Sequence, residues 1–150
     1  MESVILYSAQ LPTFQQYKIM TAEEFLSEMA ETANTHNLEA HMNLISKDVK
    51  VTGFPEFDLI TYNDWLNQCK QEFENMLVIS VSYKDLHTLS ETTDEIRFIA
   101  VETVEARDRQ VNINCIEFTI KKENDEQWRV VLERIISAAD LDDDNSITIQ

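Results

Sequence analysis

The chain has 150 residues, 43% of them hydrophobic and 9% aromatic. That is one domain's length, with material for a core, and too apolar for a disordered segment. Its 28 acidic and 12 basic residues give a formal net charge of −16, which argues against nucleic acid or an anionic membrane surface as a partner. A single glycine, Gly53, leaves no glycine-rich phosphate loop, and no apolar run approaches the roughly 20 residues that cross a bilayer.

Residues 1–20 show no clear period, although Val4 to Tyr7 reads as a short strand or a packed arm. The opening MESVILYSAQ lacks the basic region of a signal peptide. Cys69 and Cys115 form no metal-binding spacing and read as free thiols in a reducing compartment. The expected location is therefore the cytoplasm.

Thr21 to Glu24 has the form of a capping box. Phe25, Leu26, Met29 and Ala33 then give one apolar face to a helix running to about Asn34. Asn37 is a plausible cap for a second short helix carrying Leu38, His41, Met42 and Ile45 on one face. Lys47 to Thr52 alternates as a short strand, and the loop from Gly53 to Asp58 is the strongest break in the chain. Thr61 and Asp64 cap a third helix, whose stripe is Tyr62, Trp65, Leu66, Cys69, Phe73 and Met76.

The period then becomes two. Strands are expected over 77–89, 95–105, 111–122 and 127–137, joined by turns short enough to require antiparallel hairpins. Ile96, Phe98 and Ala100 lie on one side of their strand, with Ile99 and Val101 on the other. A sheet apolar on both faces needs two covers. Helices supply one, and a second copy of the chain is the expected other.

In the acidic tail, Asp140, Asp142 and Asp144 resemble the start of a calcium loop, but Asn145 stands where such a loop needs glycine. A solvated tail is the expectation. The division is thus an arm over 1–20, one domain over 21–137 and a tail over 138–150.

Helix, short helix, strand, helix and four antiparallel strands, with HNLEAHMNLISKDV before the first strand and Trp128-Arg129-Val130-Val131 opening the last, resembles the nuclear transport factor 2-like superfamily. That group includes ketosteroid isomerases, SnoaL-type polyketide cyclases and scytalone dehydratase. The resemblance covers about residues 21–137. It implies a cystatin-like α+β fold: a curved antiparallel sheet of four to six strands wrapped around a long helix, with two further N-terminal helices and a conical pocket. It also implies dimerisation through the outer sheet face. It does not fix function. The isomerases' tyrosine in the first helix is absent from 21–34, and no matching pair of strand aspartates is found.

Three glutamates interrupt largely apolar strand faces: Glu102, Glu117 and Glu133. Burial raises a carboxyl's pKa toward values useful for general acid or base catalysis. The alternative is pairing with Arg97, Arg129 or Arg134, or exposure on the outer face. Glu133 is favoured, because the last strand of the resembled fold lines the cone. His41, on an apolar helix face, is a core histidine or a proton carrier. Phe54, Phe57, Asp58, Tyr62, Trp65 and Phe118 are candidates for ligand contact, with Tyr62 able to bond a ligand oxygen.

Two readings follow. The favoured one is a homodimer that binds a small apolar ligand in its cone without catalysis, since no catalytic set is complete. The alternative is a cofactor-independent isomerase, cyclase or dehydratase with a buried Glu as base and Tyr62 or His41 stabilising an oxyanion. Neither metal nor cofactor is expected. Where the three glutamates point discriminates between the readings.

Overall fold

A computed structural model describes residues 19–137. The possible strand near Val4 and the acidic tail lie outside them. The elements in chain order are α1 (Ala22–Asn34), α2 (Leu38–Met42), β1 (Ile45–Thr52), α3 (Tyr62–Glu74), β2 (Val78–Glu91), β3 (Glu95–Ala106), β4 (Val111–Lys122) and β5 (Trp128–Ile136).

Local chemistry accounts for the helix starts. The Thr21 hydroxyl accepts from the Glu24 amide at 3.1 Å, and the Asn37 side chain accepts from the Ala40 amide at 3.2 Å. Thr61 and Asp64 form a complete reciprocal box at the head of α3. α3 ends at Glu74, two residues short of the expected stripe. Met76 takes a left-handed φ of 54° and is exposed, so it does not join the core. α2 is also shorter than its apolar pattern, because Ile45 is the first residue of β1.

The sheet is curved, in the order β1-β5-β4-β3-β2. β5 through β2 are antiparallel, as short hairpins demand. β1 differs from the antiparallel expectation by pairing with β5 in parallel, which is possible because the rest of the domain lies between them in sequence. Register shifts interrupt β2 and the β4–β5 pair. Such bulges sharpen twist and bend a sheet.

The inner face carries the core. Phe98 and Phe118 stack at 5.0 Å, and both are fully buried with Phe25 and Met29 of α1. The outer face carries Ile99, Cys115, Glu117, Leu132 and Arg134, in register across β3, β4 and β5.

Both edges of the sheet meet the chain's own polar groups. The Asn34 side chain accepts from the Val81 amide at 2.7 Å and donates to the Val81 carbonyl at 3.1 Å. At the far edge, Val51 and Ile60 exchange two backbone bonds. Gly53, just beyond β1, has a φ of 98° and lies directly against the Ile135 backbone.

Candidate acid–base site

Two carboxyls share the inner face with the aromatic core. Glu133 pairs across β4–β5 with Phe118, and Glu102 pairs across β2–β3 with Tyr83. The Tyr83 hydroxyl donates to Glu102 Oε2 at 2.8 Å, and its ring meets Phe118 edge-on at 6.0 Å. From above, α3 contributes Trp65, Cys69 and Glu72, spaced at i, i+4 and i+7 on one helix face.

Glu133 is 6% exposed. No hydrogen bond or ion pair to its carboxyl exists among the described residues, yet no fully enclosed polar side-chain atom there lacks a partner. Its oxygens therefore keep a sliver of solvent access. Burial, and then the neighbouring Glu102 charge, hold this carboxyl well above the usual carboxylate range. Glu102 is also raised, chiefly by burial and then by Glu72, with the Tyr83 hydroxyl acting in the opposite sense. Two acids so close in a poorly solvated place favour a state with one proton and one charge between them. Tyr83 keeps its phenolic proton, because burial and both glutamates push its pKa up.

Cys69 lies beside this pair with its pKa pushed up to about 12, first by burial and next by Glu72. It is a packed thiol and no nucleophile. Among the described residues, no group of three or more His, Cys, Asp or Glu is placed to hold a metal ion.

The remaining candidates fall elsewhere. Glu117 is on the outer face, bound by Arg97 at 2.9 Å and Arg134 at 2.8 Å. Burial would raise its carboxyl, but the two guanidinium groups together hold it below the ordinary value. It is a structural ion pair, which removes it from the catalytic candidates. His41 is buried; its Nδ1 lies 2.9 Å from the Thr32 hydroxyl, and its ring packs near Phe73 and Trp65. Burial pushes its pKa down to about 4. A neutral ring enclosed in this way serves the core rather than carrying protons or stabilising an oxyanion.

Phe118 is fully buried against Phe98, so it supports the site from below rather than touching a ligand. Phe57 and Asp58 are exposed in the loop after β1, and Phe54 packs on the core edge. Tyr62 lines a separate open depression of about 1170 Å³ between α2, the start of α3 and the β4–β5 hairpin. The hydroxyl at the carboxyl pair is thus Tyr83, which the sequence reading did not single out. Its signal was a tyrosine alternating with Val81 on a strand's buried side, but only the β2–β3 register brings it to Glu102.

No protein-family model and no curated protein matches the chain. Solved structures do. A nuclear transport factor 2-like protein of unknown function from Shewanella oneidensis is 9% identical, with a TM-score of 0.62 over 75% of this chain and 93% of that one. A protein from Novosphingobium aromaticivorans, provisionally named a scytalone dehydratase, is 12% identical, with a TM-score of 0.59 over 76% and 79%. A cystatin-like-fold protein of unknown function from Nostoc punctiforme is 14% identical, with a TM-score of 0.57 over 79% and 93%. No helix among the described residues is long and apolar enough to cross a membrane. With its mixed five-stranded sheet and overlying helices, the chain has the nuclear transport factor 2-like, cystatin-like α+β fold.

Proposed function

We propose that the inner-face pair Glu102–Glu133 is a cofactor-independent acid–base site that moves protons on a small, mostly apolar molecule. The supporting observation is the Tyr83–Glu102 bond at 2.8 Å, with a nearly buried Glu133 on the same sheet face that has no hydrogen-bond partner among the described residues. A carboxylate at Glu102, oriented by Tyr83, suits removal of a proton next to a carbonyl. A protonated Glu133 suits delivery of a proton to a developing alkoxide or a departing hydroxyl. Isomerisation and dehydration both need this division of labour, and one neighbour in fold is provisionally named a dehydratase. The glutamates' positions favour this reading over a ligand binder without chemistry.

Exchange of α-protons in D2O, followed by proton NMR on cyclohexanone and α-tetralone, tests the reading. The wild-type chain should accelerate exchange. Glu102→Gln or Glu133→Gln should lower the accelerated rate on the order of a hundredfold or more with folding retained. Exchange unaffected by either change would remove the pair from catalysis.

The same reading takes the protein as a homodimer through the outer sheet face. Ile113 and Val111 of β4 are 62% and 52% exposed there, more apolar surface than an isolated strand needs. Ile113→Lys should convert a dimer to a monomer in native mass spectrometry. A wild-type chain that is already monomeric at micromolar concentration would rule out the dimer.

A further inference from the structure

The middle of the outer sheet face is basic, in a chain whose formal net charge is −16. Strand register sets Lys50, Leu132, Thr119 and Arg97 in one row across β1, β5, β4 and β3. The next row holds Thr52, Arg134, Glu117 and Ile99, with His87 of β2 at its end. Lys50, Arg97 and Arg134 outnumber the single acid Glu117, so the two rows are positive. Arg97 and Arg134 each give one N–H to the Glu117 carboxylate, at 2.9 and 2.8 Å. A guanidinium has five donors, and the others on these two have no partner among the described residues. The arginine side chains are 43% and 39% exposed, against 9% for Glu117. One half-hidden acid thus holds two cations in place and leaves most of their donors facing outward.

We propose that these rows dock the acidic segment of the same chain, Asp140 to Asp144, whose carboxylates accept from Arg134, Arg97 and Lys50. Asp140, Asp142, Asp143 and Asp144 follow closely on Ser137, the last described residue. Arg134 lies about 10 Å back along β5 from Ser137. Arg97, two strands across and level with Leu132, lies about 20 Å away. The stretch from Ser137 to Asp144 can extend up to about 25 Å, so a chain that turns back over the face reaches both. Guanidinium groups match carboxylates in shape and charge. Exposed pairs of this kind hold separate molecules weakly, but so short a tether supplies roughly millimolar effective concentration. The strong net negative charge makes most other seats repulsive. A second copy fits these rows less well, because an isologous contact would set them against themselves. Ile113 of the dimer patch lies about 13 Å along β4 from Glu117, so the two contacts sit side by side. The inference is independent of the acid–base reading.

Paramagnetic NMR of the full chain tests this. A nitroxide is placed at Ser146→Cys with Cys115→Ser; Cys69 is buried, its thiol pKa pushed up to about 12, and stays unlabelled. At low ionic strength the amides of Arg97, Glu117 and Leu132 should lose half their intensity or more, while those of α1, beyond the inner face, keep theirs. Half-molar sodium chloride should restore most of the loss. Asp140→Asn, Asp142→Asn, Asp143→Asn and Asp144→Asn together should reduce the relaxation enhancement at least fivefold, and so should Arg97→Gln with Arg134→Gln. The asparagine changes alter no described residue, so they decide the matter even if the arginine variant folds poorly. Outer-face amides that keep their intensity, or a loss that survives the four asparagines, would overturn the contact. Nitrogen-15 chains without the nitroxide, mixed with nitroxide-bearing chains, should show no loss; a loss there would assign the segment to a second copy and overturn docking within one chain.

Discussion

Conformational stability of the wild-type chain should fall steadily above about pH 6.5, and that of Glu133→Gln should fall less, because only Glu102 then keeps a raised carboxyl. Glu133 titrates well above its ordinary value of 4.5 because it is buried and then because Glu102 is charged. Above 4.5 the folded chain keeps a proton that the unfolded chain has released. Stability therefore declines with rising pH, by about 1.4 kcal/mol per unit, until the raised value is passed. Glu102, raised chiefly by burial, acts in the same direction.

His41 does the reverse. Burial lowers it from 6.5 to about 4, so over that interval the unfolded chain holds the extra proton and stability climbs with pH at a similar slope. The two effects oppose each other up to 6.5, and the glutamates act alone beyond it. The lowered carboxyls of Glu117, Asp64 and Asp125 contribute only on the acid side of their ordinary values. Urea midpoints at half-unit intervals from pH 4 to 9 measure the whole curve. A wild-type profile superimposing on that of Glu133→Gln would mean an ordinary ionised carboxylate at this position, and the proposed site would lose its acid.

Replacing Gly53 by alanine should lower stability by about 3 kcal/mol or more, with the melting temperature down by roughly 10 °C. Two effects combine. At a φ of 98° a side chain is strained wherever it points, and a Cβ here would collide with the backbone oxygen and nitrogen of Ile135. A neighbouring side-chain tip could swing aside; a strand backbone cannot. Ile135 is two residues from Glu133 on the same strand, so what damage the fold tolerates should also appear as a shifted Glu133 titration. Thermal unfolding followed by circular dichroism decides it. A loss under about 1 kcal/mol would show that the loop relaxes away from β5.

Most of the architecture was readable because it follows from short-range rules. The caps at Thr21, Asn37 and Thr61, the stripe from Trp65 to Phe73 and the switch to period two each depend on residues within a few positions of one another. What escaped depends on register and on distant pairings. β1 lies beside β5 although some 80 residues separate them, and no local pattern announces a parallel neighbour. Alternation placed Glu102, Glu117 and Glu133 on strand faces but gave no means of deciding which faces are inner. Only the pairings of Glu117 with Arg134 and of Glu133 with Phe118 separate them. The same holds for Tyr83, which alternation alone does not place beside Glu102. Tyr62 stands on a helix near other aromatics, yet it lines the depression beside α2 and the β4–β5 hairpin, away from the carboxyl pair.

The amide of Asn34 offers Val81 one donor and one acceptor, as the peptide group of an adjoining strand would, and residues 51 and 60 seal the other margin in the same manner. An incoming strand would first have to evict an intramolecular partner at those two positions. Beyond Val81, the edge strand β2 carries Lys84, Asp85 and Glu91, charges of the kind that discourage strand addition where no partner covers the backbone.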